Sequence, residues 1–117
     1  MTYVDGFVAA VPKANKEQYI AHARGAADLA KQWGATRVVE NWGDDVPPGK
    51  VTDFQRAVQA KEDEVVIFSW VVYESRQSRD AVMAKVMADP RLNGDQSAMP
   101  FDGKRMIFGG FQPFMEL

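Results

Sequence analysis

Nine consecutive residues, Val65 to Tyr73, read VVIFSWVVY, with one serine among branched aliphatic and aromatic side chains. A strand turns alternate residues to opposite faces, so a run without a polar side demands cover on both faces. The other elements fall around this strand. Tyr3 to Val11 is short, apolar and β-prone, and Pro12 closes it. The stretch NKEQYIAHARGAADLAKQWG places Tyr19, Ala23, Ala26, Ala30 and Trp33 at helical spacing, with Asn15 as candidate N-cap, Gln18 as its capping-box partner and Gly34 as the stop. Ala35 to Trp42 predicts a second strand, with Arg37, Val39 and Asn41 on one side and Val38, Glu40 and Trp42 on the other.

GDDVPPGKVTDF then predicts a long loop, because Pro47, Pro48 and two glycines prevent regular pairing. Gln55 to Lys61 fits either an extension of that loop or an early start of the third strand. A helix carrying Val82, Met83, Val86 and Met87 follows, capped by Ser75 or Ser78 and ending before Pro90. Arg91 to Gly103 reads as irregular, and RMIFGGFQPFMEL as a fourth strand.

The order β-α-β-β-α-β predicts an α+β, ferredoxin-like fold, an antiparallel four-stranded sheet with two helices on one face. Four strands about 4.8 Å apart and about seven residues long make a face on the order of 400 Å². Helices cover one face, and the other is as large an apolar patch as a soluble monomer tolerates. Pairing two such faces removes about 800 Å² from water, on the order of 20 kcal/mol gross against an association cost of roughly 4 to 15 kcal/mol. The expectation is a two-fold symmetric homodimer with its sheets face to face. The competing expectation is that the long loops fold back over the bare face.

Composition narrows the functional classes. The chain has 117 residues, the size of one compact domain spanning 1–117, and fourteen Lys and Arg against sixteen Asp and Glu. A net charge of -2 gives no bulk field for nucleic acid or an anionic membrane, so neither is expected as a partner. The absence of cysteine excludes disulfides and thiolate chemistry and fits a reducing cytoplasm. No apolar segment reaches membrane-spanning length and the first residues lack signal-peptide features, so a cytoplasmic protein is expected.

Candidate chemistry is sparse. Asp5 lies inside the first strand between Val4 and Gly6, where a buried carboxylate must be paired or perturbed, and a perturbed one is a candidate acid or base. The structural reading of Asp5 is a bond to Lys104, Arg105 or backbone amides. Gly6, Gly109 and Gly110 fall on strands that neighbour each other in this fold. Missing side chains there suggest a hollow for a small, partly aromatic ligand, walled by Phe68, Trp70, Phe108 or Phe111, with Tyr73 and Arg105 as further binding candidates. A bulge that curves the sheet explains the same glycines. His22 is the only histidine, which excludes a histidine-based triad or multi-histidine metal site within one chain. Asp44, Asp45 and Asp53 match no calcium-loop register, and no phosphate-binding glycine motif or nucleophile elbow is present. No metal and no cofactor are expected.

The blocks YVDGFV, GDDVPPGKVTDFQRAVQAKEDEVVIFSWVVY, KVMADPR and MPFDGKRMIFGGF, taken in order, resemble the YbaA-like small bacterial proteins, a family of unknown function. The resemblance implies membership of the dimeric α/β-barrel superfamily and no established activity, so it assigns no catalytic role. Asn41 stands before Trp42 where such proteins often have cysteine, which removes any thiol role there, and Glu74 replaces a proline common after the third strand. The superfamily includes cofactor-independent monooxygenases, lactone isomerases and haem enzymes. Haem is not expected here, because His22 is poorly placed as an axial ligand. Two readings follow: a homodimer that binds a small molecule or acts as a cofactor-independent enzyme, and a non-catalytic stress-response or ligand-sensing protein whose sheet face serves only dimerisation.

Overall fold

A computed structural model describes residues 1–93 and 99–117. Strands β1 (Tyr3–Pro12), β2 (Arg37–Trp42), β3 (Glu64–Tyr73) and β4 (Ile107–Phe111) form one antiparallel sheet in the order β2-β3-β1-β4. Helix α1 (Lys16–Trp33) joins β1 to β2, and α3 (Arg76–Ala88) lies between β3 and β4. This is the ferredoxin-like α+β arrangement read from the sequence.

Register fixes which side chains share a face. Val71 stands opposite Asp5, Ser69 opposite Phe7 and Ile67 opposite Ala9, so these residues and the alternate ones beside them point toward the helices. Tyr19 of α1 packs there with Ala9, Val11 and Ile67, while Val82 of α3 packs with Ala30, Ala35, Val71 and Tyr73. Val4, Gly6, Val8, Ala10, Phe68, Trp70 and Val72 point the other way, joined by Val39 of β2 and by Ile107, Gly109 and Phe111 of β4.

The interior of the hydrophobic run thus has a helix-covered face, and the second face is covered only in part. Phe54–Ala57 forms a single helical turn, α2, rather than loop or strand, with the Asp53 side chain accepting from the Arg56 backbone N–H. Val58, just after it, is buried against Ala10 and Val66 on the second face. The chain folds back over that end of the sheet, as the competing expectation had it. Past that end Phe68 and Ile107, both opposite Val8, are 45 % and 46 % exposed, and Phe111, opposite Val4 at the far end, is 63 % exposed.

Other local expectations shift. The Asn15 side chain does not cap α1; its amide instead donates to the Pro100 carbonyl, 3.0 Å away. Ser75, not Ser78, caps α3, accepting from the Ser78 N–H. Gly34 ends α1 at φ 132°, a left-handed conformation that glycine alone adopts without strain. β4 is shorter than the sequence suggests: Gly103–Arg105 is a 3₁₀ turn, and Gln112 to Leu117 leaves the sheet, with Pro113 unable to extend the ladder. Residues 94–98 of the irregular stretch lie outside the described residues.

Arg105, a ligand candidate in the sequence, is tied into the scaffold. Its guanidinium donates to both Glu64 carboxylate oxygens at 2.7 Å, to Asp102 at 3.0 Å and to the Gln59 carbonyl at 2.8 Å. It thereby ties the segment after α2 to the turn before β4. The Arg105 hydrogen bonds hold Glu64 below its ordinary value of 4.5, against the opposing effect of burial. A depressed folded value means stability present above about pH 4.5 and lost as pH falls through the lower folded value. Arg105→Lys keeps the charge but loses the two-pronged fit, so it is expected to cost about 1–2 kcal/mol at pH 7. Urea unfolding from pH 7 to pH 3 should also show a shallower acid limb for the variant than for the parent.

Candidate functional site

The helix-covered face carries two polar arrays. In the first, Asp5 of β1 is 6 % exposed and both its carboxylate oxygens are engaged. Arg79 Nε donates to Oδ1 at 3.0 Å and the Tyr73 hydroxyl donates to Oδ2 at 3.0 Å. Asp5 is therefore paired, but with Arg79 of α3 rather than Lys104 or Arg105. Desolvation pulls the Arg79 guanidinium down, but its hydrogen bond to Asp5 and the charge of that carboxylate outweigh this and raise it. Burial pushes the Tyr73 hydroxyl well above its usual range, reinforced by the Asp5 charge, so it stays a donor.

Arg79 also lies over the Tyr3 ring, 4.9 Å from the centroid, and its far nitrogen reaches Asp80 at 2.7 Å. Gly110 makes this packing fit. A Cβ at that position would stand 2.1 Å from Arg79 Nη2 and 2.5 Å from the Tyr3 hydroxyl. Beside the array is an open groove of about 540 Å³ lined by Tyr3, Ser75, Arg76, Gln77, Gly110 and Gln112, together with the first two residues.

In the second array, Glu40 of β2 accepts on one oxygen from the Tyr19 hydroxyl at 2.8 Å and from the buried Ser69 hydroxyl at 2.6 Å. Glu40 and Ser69 are cross-strand partners. Burial raises the Tyr19 hydroxyl, and the neighbouring Glu40 charge raises it further, so it too remains protonated. Lys16 stands over the Trp42 ring at 5.1 Å, and His22 meets Phe101 edge-on at 6.2 Å.

The residues that the sequence grouped as one binding hollow are divided between two faces. Asp5, Tyr73 and Gly110 share the helix side, where Gly110 alone of the three lines the groove. Phe108 is on that side too, at the edge strand, with its ring centroid 6.5 Å from that of Phe7. Gly6 and Gly109 are cross-strand partners on the open face, beside Phe68 and Trp70, whose ring centroids are 5.5 Å apart. The space above these two glycines is taken by this chain's own Phe111, whose ring lies 3.5 Å from a Cβ built on Gly109 and 3.7 Å from one on Gly6. Arg105 belongs to neither group.

Among the described residues no group of three or more His, Asp or Glu side chains is placed to hold a metal ion, and no helix is long and apolar enough to cross a membrane. Asp53, one of the loop carboxylates, is used up by the backbone N–H groups of Arg56 and Gly49.

Residues 2–103 match the family model described as protein of unknown function, DUF1428. The chain belongs to the DUF1428 family. It is 54 % identical over 116 residues to the uncharacterised protein YbaA of Escherichia coli strain K12, with 99 % of each chain covered, and equally to YbaA of Shigella flexneri. Among solved structures, this DUF1428 chain is similar to a variant of SnoaB, a cofactor-independent oxygenase from Streptomyces nogalater. The TM-score is 0.60 at 18 % identity, covering 99 % of this chain and 96 % of that one. It is similar also to a dimeric ferredoxin-like protein from an uncultured marine organism, with a TM-score of 0.58 at 14 % identity and complete coverage of both chains. At such identities the likeness establishes the fold alone.

Proposed function

We propose that this protein is a small-molecule-binding homodimer. Its sheets pair through the open face, and each protomer takes a small, partly aromatic ligand in the groove beside Tyr3 and Gly110. The observation that carries the reading is the ion pair of buried Asp5 with Arg79, whose guanidinium packs against Tyr3 and Gly110, two residues that line the open groove. A protein interior gains little by burying an ion pair in place of apolar side chains, so such a pair is better explained by what it positions. Here it fixes Arg79 against one face of Tyr3 and leaves the phenol to form a wall of the groove. Arg76, Ser75 and Gln77 supply a cation and hydrogen-bonding groups, which suits a ligand with an aromatic ring and an anionic end.

Cofactor-independent chemistry with Asp5 as acid or base is the lesser reading. SnoaB lends the scaffold a precedent, but Asp5 is buried, is held by Tyr73 and Arg79, and does not line the groove. The pairing across the open face draws support from the exposed aromatics and from the dimeric ferredoxin-like neighbour. The lack of cysteine supports a cytoplasmic location.

The test is thermal unfolding with benzoate, salicylate and 4-hydroxybenzoate set against the corresponding uncharged alcohols. A carboxylate at 100 times its dissociation constant is expected to add about 2.7 kcal/mol. Gly110→Ala, whose methyl takes space used by Arg79 and Tyr3, should abolish that shift. If no aromatic carboxylate raises the melting temperature of the parent protein, the groove reading is wrong.

A further inference from the structure

The open face is asymmetric along the strands. At one end Val58, next to α2, packs on the paired residues Ala10 and Val66, and the Phe54 ring stands 6.1 Å from that of Phe68. At the other end, where Val4 pairs with Val72 and with Phe111, no such cover is present among the described residues, Phe111 is 63 % exposed, and the chain leaves β4 toward that end. The departing segment carries Phe114, 95 % exposed, with Met115 and Leu117 also exposed. Val51 and Phe54, on the covering segment, are exposed as well.

Sheets packed face to face lie about 10 Å apart, and a helical turn with its side chains is about 10 Å thick. One covering segment therefore fills the interface layer at its own end of the sheet. A two-fold axis parallel to the strands would set the two covering segments on top of each other and force the sheets apart. An axis across the strands sets each one over the partner's bare end. The area points the same way. Ideal faces bury about 800 Å² together, below the roughly 1,200 Å² of a stable interface. Phe54 and Phe114 from each protomer add on the order of 600 Å² at about 150 Å² per ring.

Resting on the proposed homodimer, we infer that the occupant of each bare end is a second copy of this chain, docked with strands reversed, so that its 51–58 segment caps that end and meets residues 113–117 leaving it. The complementary pair is Val51 and Phe54 from one protomer against Phe114, Met115 and Leu117 from the other.

The chain contains no cysteine, so cross-linking reads out on a silent background. A chain carrying both Val51→Cys and Met115→Cys is treated with a short bismaleimide beside each single variant, and its mass is first measured without the reagent. Val51 belongs to the segment that covers the Ala10 end of one protomer's sheet, and Met115 follows β4 where it leaves at the Val4 end, so the expected link joins two chains. Covalent dimers from the double variant, none from Val51→Cys alone, and dimer dissociation at least tenfold easier on deleting 113–117 are expected. Dimers from Val51→Cys alone, or an intact dimer that the double variant does not link, overturn the reversed arrangement while leaving dimerisation standing. A monomer before treatment overturns the dimer itself.

Discussion

Asp5→Ala is expected to lower stability by about 3 kcal/mol and the melting temperature by about 12 °C, because it strips the counter-charge from a largely enclosed guanidinium and leaves the Tyr73 hydroxyl without an acceptor. Removing one partner of such a pair costs more than removing both. The double variant Asp5→Ala with Arg79→Met should therefore recover part of the loss, and denaturant unfolding of the four members of the cycle measures the coupling. Asp5→Asn should fall between, since an amide oxygen still accepts from Tyr73 but carries no charge. A single Asp5→Ala loss below about 1 kcal/mol would mean that the pair is open to water and holds nothing in place.

Phe111→Asp is expected to dissociate the proposed dimer while the protomer stays folded. Phe111 lies over Gly6 and Gly109 on the open face and is 63 % exposed within one protomer, so an aspartate there is an ordinary surface residue in the monomer. In the proposed pairing, two-fold symmetry would bring two such carboxylates into one buried interface, at a cost of about 4–6 kcal/mol per dimer. The dissociation constant should rise by about a thousandfold or more, with the far-ultraviolet circular dichroism unchanged. Sedimentation velocity of parent and variant at matched concentration is the comparison. Unaltered assembly in the variant would place the interface elsewhere.

The fold was legible because its signals were strong and local. The run VVIFSWVVY, the stripe from Tyr19 to Trp33 and the glycine after it all act over a few residues, and each became the expected element. β4 was read too long because periodicity continues past Phe111, whereas Pro113 lacks the N–H that pairing needs. The four-residue α2 has too few positions to show a period, and only the Asp53 cap marks its start.

The candidate site was half legible. An acid inside an apolar strand singled out Asp5, but its partner lay 74 residues away. Arg79 carried a signal that went unused: it sits three residues before Val82 and seven before Val86, on the inward stripe of α3. A charge on an apolar stripe, set against a charge in an apolar strand, identifies a pair. Glu40 was legible in the same way, alternating with Val38 and Trp42 on the side that faces Tyr19. The two-face division of the glycines was not legible, because it depends on a one-residue difference in strand phase: Gly109 pairs with Gly6 while Gly110 pairs with Asp5.

Light scattering on the column-purified parent protein, followed over a hundredfold dilution from high micromolar concentration, tests the face-to-face pairing most directly. A mass of twice 13.1 kDa that persists through most of that range is the expected result. A particle of 13.1 kDa throughout would mean that Phe68, Ile107 and Phe111 face water in the working protein, and would contradict the pairing.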